Sequence, residues 1–162
     1  MKRKIITGSI VTLFIGIFLY FSFGEVLNDE IKNAPDWVPL EEALETAQLE
    51  ENEKLILIDI YEVGCRFCRQ MEREVYPSES IRTLIDRDFI PVRVNGNSER
   101  PIVYLGESMS QKEFADKMGL TAFPFTVVMD SNGNVLNSRR GYMGVVELSR
   151  FLNDILRDVR QT

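Results

Sequence analysis

The sequence predicts an α/β fold in which a mixed central sheet is flanked by helices and preceded by one N-terminal transmembrane helix. Apolar, β-rich runs at residues 54–61 and 89–95 alternate with amphipathic helical stretches, and a hairpin signal at Asp130-Ser131-Asn132-Gly133 adds antiparallel strands to that parallel pair. The transmembrane helix rests on residues 5–23, where 19 positions carry no charge, about the ~20 needed to cross a hydrocarbon core.

Lys2, Arg3 and Lys4 precede that segment, and Glu25, Asp29 and Glu30 follow it. The positive-inside bias then keeps the N-terminus in the cytoplasm and exports the rest. As an uncleaved anchor, residues 1–24 make a single-pass protein with its domain in the periplasm or outside the cell. Ser22 and Gly24 also fit a signal segment cleaved after Gly24, which gives a secreted protein; the length of the apolar run favours the anchor. Residues 25–36, polar and carrying Pro35, read as a tether, and residues 37–162 as the domain.

Within the domain, residues 39–52 place Leu40, Ala43, Leu44, Ala47 and Leu49 at helical spacing, with acids on the other side. "KLILIDIY" at 54–61 is a buried central strand. Residues 65–75 read as a helix with Phe67, Met71 and Val75 on its inner side, and Pro77 ends it. A second helix restarts with Ser78 as N-cap and Ile81, Leu84 and Ile85 facing the core. "FIPVRVN" at 89–95 is the next strand. Residues 96–108 predict a long surface loop whose Tyr104 and Leu105 fold back on the domain. Ser110 and Glu113 form a capping box, and Gly119 stops that short helix. After the hairpin, a final helix spans about 144–160 and buries Val145, Leu148, Phe151, Leu152, Ile155 and Val159.

Composition excludes several chemistries. There is no histidine, so Ser-His-Asp and Cys-His mechanisms are impossible. Without residues 1–24 the chain keeps 16 Lys and Arg against 25 Asp and Glu, a net charge of −9, so nucleic acid is a poor partner.

The two cysteines, Cys65 and Cys68, stand three positions apart at the start of a helix. A structural bridge across so short a loop removes little chain entropy. Structural zinc wants four N or S ligands, and two thiolates without histidine do not supply them. A cuprous ion held by the two thiolates, with a methionine, stays open. A reactive dithiol accounts best for the placement, because unpaired N–H groups and the helix dipole stabilise a thiolate on the first turn. Cys65 is then the nucleophile and Cys68, one turn on, the resolving thiol. Arg66 and Arg69 add positive potential if they face the sulfurs, and are plain solvated arginines otherwise.

The run from "LILIDIYEVGC" through "CRFC", with "LTAFPFTVV" at 120–128 downstream, resembles the active site of the thioredoxin superfamily over about residues 36–160. The resemblance implies a thioredoxin-like fold and adds three assignments. Asp59, six positions before Cys65, corresponds to a buried acid that assists proton transfer from the resolving thiol; the alternative is a strand-end acid in water. Pro124 corresponds to a cis proline facing the dithiol, rather than a trans proline in a loop, and Phe123 before it to a substrate contact by strand addition. Gly141-Tyr142 is similar to the segment that keeps this face open. The chain departs from the family in having Gly64 where a tryptophan is usual and Arg66-Phe67 between the sulfurs, residues taken here as further substrate contacts that help set redox direction.

"C-x-x-C-x-x-M-x-x-x-V" continuing through "SIRTLIDRDFIPVRVN" is most similar to the exported group that includes the C-terminal domain of transmembrane thiol reductases. That similarity implies disulfide exchange, most of all reduction, in exported proteins. No bound cofactor or metal is called for. The partners it implies are disulfide-containing exported proteins and a transmembrane electron donor, with residues 5–23 holding the membrane. A thiol oxidase or isomerase on the same fold, a cuprous-ion carrier, and a thioredoxin-like interaction module whose cysteines are incidental are the rivals.

Overall fold

In a computed structural model of the chain, residues 17–18, 32–49 and 54–161 are described. The predicted anchor falls, apart from Ile17 and Phe18, outside the described residues, and among the described residues no helix is long and apolar enough to cross a membrane. The chain divides into two compact units, Met1–Lys32 and Asn33–Thr162.

The second unit holds helix α1 (Leu40–Leu49), strand β1 (Leu55–Tyr61) and helix α2 (Arg66–Gln70), which runs on into a π-helical turn (Met71–Val75). Helix α3 (Glu79–Asp88) and strand β2 (Phe89–Asn95) follow, then strands β3 (Pro101–Tyr104) and β4 (Glu107–Ser110) and helix α4 (Gln111–Lys117). Strands β5 (Phe125–Met129) and β6 (Val135–Arg140) and helix α5 (Val145–Arg160) complete it.

The main sheet has the order β2-β1-β5-β6. β1 and β2 are parallel, with Asp59 opposite Arg93, while β5 is antiparallel to β1, with Thr126 opposite Asp59. Because side chains alternate along a strand, β1 serves two cores. Ile56, Ile58 and Ile60 face the layer of α1 and α4, and Leu55 and Leu57 face that of α2, α3 and α5. Asp59 shares parity with Leu55 and Leu57, and so lies under α2.

Three expectations need correction. Residues 96–108 are not one irregular loop: β3 and β4 pair as a separate two-stranded sheet. Their turn has positive φ at both Leu105 (52°) and Gly106 (80°), the geometry that a two-residue hairpin loop needs, reached here with a leucine in the first place. Tyr104 folds back as expected and its hydroxyl donates to the Gly133 carbonyl oxygen at 2.8 Å. Leu105 is largely exposed, although its tip lies close to Gly133.

The second correction concerns α2. Its buried stripe is Cys68, Met71 and Val75, and Phe67 is 52% exposed. An α-helical repeat of four puts Phe67 with Met71; the structure instead turns Phe67 outward, and the Tyr76 N–H donates to the Met71 carbonyl at 3.0 Å to close a wider turn. The third is Leu49, which is exposed at the end of α1. Ser78 caps α3 through its backbone alone, since its hydroxyl donates to the Val75 carbonyl at 2.7 Å. The remaining elements, including the Ser110–Glu113 capping box and the Asp130–Asn134 turn, stand where the sequence places them.

Candidate active site

The site lies at the C-terminal end of β1. Since β5 runs antiparallel to β1 and β6 antiparallel to β5, the start of β5 and the end of β6 come to the same end. The chain leaves β1 through Glu62, Val63 and Gly64. Gly64 has φ +94°, which L side chains rarely adopt, and open space where a Cβ would stand. A glycine in place of the family's tryptophan therefore follows from the turn, and it leaves the approach to Cys65 clear.

Cys65 is the N-cap of α2. Its Sγ accepts the Cys68 backbone N–H at 3.0 Å, and its own N–H donates to the Glu62 carbonyl at 3.3 Å. The two cysteines form a disulfide with Cα atoms 5.3 Å apart. Cys65 is half-buried whereas Cys68 is 1% exposed. That asymmetry leaves Cys65 the more accessible sulfur of the pair.

The remaining sequence-predicted residues are distributed around this pair. The Phe123–Pro124 peptide is cis. Gly141 N–H donates to the Pro124 carbonyl at 2.8 Å, and ladder pairing between β5 and β6 begins at Phe125 opposite Arg140. Phe123 therefore stands just beyond the end of the ladder, where an added strand would continue it. Its ring turns inward onto Gly96 and Ile60. Phe67 and Tyr142 face each other with ring centroids 6.0 Å apart, and with Val63 they make an exposed apolar rim. Arg66 and Arg69 are exposed on the first turns of α2.

A Cβ at position 96 would meet the Phe123 ring at 2.7 Å. Gly96→Ala must displace that ring and the backbone before Pro124. The expected result is a several-fold rise in KM for a peptide disulfide with kcat nearly unchanged, measured by steady-state kinetics; an unchanged KM would remove Phe123 from the substrate contacts.

Asp59 is fully buried, not a strand-end acid in water. Burial raises its carboxyl pKa to about 6, against the pull of the Arg93 charge and, less strongly, of the Tyr76 hydroxyl. Arg93 Nε is 3.3 Å from Asp59 Oδ2, but its N–H is not aligned on it, and neither carboxylate oxygen has an aligned hydrogen-bond partner among the described residues. Arg93 also pairs with Glu72, and its guanidinium sits 4.2 Å from the Tyr61 ring centroid. The buried hydroxyls of Tyr76 and Thr126 are likewise without aligned partners among the described residues. Cys68 and Asp59 share one layer, the sulfur on the buried stripe of α2 and the carboxyl on the strand face beneath it.

Arg93, Glu72, Tyr76 and Thr126 were not singled out from the sequence. A signal existed for Arg93 alone, a cation amid the apolar "FIPVRVN". Its partner depends on the parallel register of β1 and β2.

A thioredoxin-like domain model matches residues 40–156. No curated protein matches the chain. Among solved structures, a thioredoxin-fold protein from Helicobacter pylori superposes with a TM-score of 0.60 at 21% identity, over 64% of this chain and 70% of that one. The DsbH oxidoreductase gives 0.60 at 18% identity over 80% and 90%. The C-terminal domain of Neisseria meningitidis DsbD, in its oxidised form, gives 0.55 at 19% over 71% and 91%. At such identities the likeness shows the fold. The chain belongs to the thioredoxin-like family, and its Cys65–Cys68 pair is the dithiol of a thiol-disulfide oxidoreductase.

Proposed function

We propose that this protein is a membrane-tethered, extracytoplasmic thiol-disulfide oxidoreductase that reduces disulfides in exported proteins. The observation that carries the reading is the placement of Cys65 Sγ at the start of α2, accepting the Cys68 N–H, with Cys68 buried in the layer of Asp59. Backbone N–H donation at a helix start stabilises a thiolate. In the reduced protein the Cys65 thiolate attacks one sulfur of a substrate disulfide. That S–S bond breaks, a Cys65–substrate disulfide forms, and the other substrate sulfur leaves as a thiolate.

Cys68 then gives its proton to Asp59, which with a pKa of about 6 is mostly ionised at pH 7 and can accept it. The Cys68 sulfur attacks Cys65 and restores the intramolecular disulfide, and the second substrate thiol is released. Two electrons pass to the substrate, so an external dithiol must supply them again. The chain has no third cysteine, and a transmembrane electron donor is the partner this requires. Export is supported by residues 1–30 and their charge pattern, and reduction by the resemblance of the dithiol segment to transmembrane thiol reductases. The DsbD C-terminal domain is known in both oxidised and reduced forms.

The test is the equilibrium reduction potential together with turnover of an insulin-type disulfide. A potential near about −270 mV with turnover supports reduction, and one near about −120 mV points to oxidation. Stoichiometric cuprous binding without turnover would replace exchange by metal carriage.

A further inference from the structure

The segment Asn33–Val38 is fastened to the domain at several points. Asn33 Nδ2 donates to the Pro77 carbonyl at 2.7 Å. The Arg82 guanidinium reaches the Ala34 carbonyl oxygen and pairs with Asp36 at 2.8 Å. The Val38 N–H donates to the Pro91 carbonyl at 3.0 Å, and Val38 makes a parallel bridge with Val92 on the edge of β2. These contacts hold the half-buried Trp37 in one place. Its ring meets that of Tyr76 edge-on, with centroids 5.2 Å apart at 90°, and the Arg93 Cζ lies 5.8 Å from its centroid.

Tyr76 and Arg93 are two of the polar side chains that act on the Asp59 carboxyl. Glu72 from the π-helical turn is a third, and Thr126 of β5 lies opposite Asp59 in the sheet. Trp37 touches none of the reacting atoms, but it touches both flanking groups from the solvent side. Trp37 and Arg93 also border a cleft of about 470 Å³ along the β2 edge, whose other walls, among them Leu40, Val92 and Ile102, belong to the α1 side. Arg93, held between the Trp37 and Tyr61 rings, closes the layer of Asp59.

We propose that Trp37 is a positioning residue for the proton relay: through its ring contacts with Tyr76 and Arg93 it keeps water from the Asp59 carboxyl, which makes the Asn33–Val38 strap a working part of the site. The proposal rests on the reading of Asp59 as the group that takes the Cys68 proton. With the ring gone, water reaches the carboxylate and the desolvation that gives it its proton affinity, the largest influence on it, is lost; this outweighs the opposite effect of loosening Arg93 and Tyr76, both of which lower that affinity. The electrons and thiols still balance, but proton transfer from Cys68 meets a weaker base.

The experiment is a titration of the Asp59 carboxyl carbon by NMR in the full chain, wild type against Trp37→Ala and Trp37→Phe, with the pH profile of disulfide reduction recorded in parallel. The expected wild-type midpoint is about 6. Trp37→Ala should lower it by at least ~1 unit, toward the ordinary range of carboxylates, and move the acidic limb of the activity profile the same way. Trp37→Phe, which keeps a ring over Arg93 and Tyr76, should restore most of the shift. If Trp37→Ala does not fold, Trp37→Leu, with bulk but no ring, is read in its place. An unchanged midpoint in a folded Trp37 variant overturns the proposal and leaves the relay standing. A wild-type midpoint near ~4 overturns the relay reading, and this one with it.

Discussion

Replacing Cys65 with serine is expected to abolish disulfide exchange, lowering turnover of a protein disulfide by at least ~10³-fold. A hydroxyl is not ionised near neutral pH, and the remaining thiol, Cys68, is buried away from an outside disulfide. Cys68→Ser should lose multiple turnover as well, for a different reason. Its Cys65 still attacks, but no second thiol stands ready to release the product. A burst of about one substrate thiol per protein, followed by arrest, separates the two variants in a stopped assay. The prediction depends on the exposure difference between the sulfurs, half-buried against 1%. Equal initial bursts from both variants would mean that either sulfur can start the reaction.

Asp59→Asn should slow the resolving step and stabilise the fold at once. In the proposed relay a general base contributes about 10²-fold, and the loss should shrink as pH rises and solvent takes over deprotonation of Cys68. Stability moves the other way. The folded-state pKa, about 6, is above the ordinary 3.8, so the folded protein binds the proton more tightly than the unfolded chain. The contribution is fully present below pH 3.8 and is lost as pH rises through about 6. At 1.36 kcal/mol per pH unit the ionised carboxylate costs about 3 kcal/mol at pH 7. Asn escapes that cost, and Arg93 keeps its pairing with Glu72. Urea unfolding should show the variant more stable by about 2–3 kcal/mol at pH 7, with the gap closing toward pH 4. A variant that is less stable at pH 7 would show that the carboxylate is satisfied in the folded protein.

These two effects come from different levels of the sequence. The dithiol is local: Cys65 and Cys68 at a helix start, after an apolar strand, can be read from one short stretch, while the cis Phe123–Pro124 peptide came from the resemblance of "LTAFPFTVV" to the thioredoxin superfamily. Capping boxes and the Asp130–Asn134 turn are equally local. The β3–β4 hairpin escaped because its turn is Leu105-Gly106, and leucine at positive φ carries no pattern. The outward Phe67 was missed because Met71 has neighbours both three and four residues before it, and Cys68 rather than Phe67 takes the buried place. The surroundings of Asp59 were out of reach for a deeper reason. Arg93 and Thr126 meet it through strand register, Tyr76 through the turn before Pro77, and Trp37 through a strap pinned by Arg82. The chemistry of the sulfurs is thus written in sequence neighbours, and the tuning of the proton that accompanies it in tertiary ones.

The most direct measurement of the central claim is covalent trapping with the full-length Cys68→Ser protein, incubated with disulfide-containing exported proteins and analysed by non-reducing mass spectrometry. The account predicts mixed disulfides joined through Cys65, absent from the Cys65→Ser control and released by dithiothreitol. A folded Cys68→Ser protein whose Cys65 reacts with a small thiol reagent, yet forms no such adduct, would contradict it.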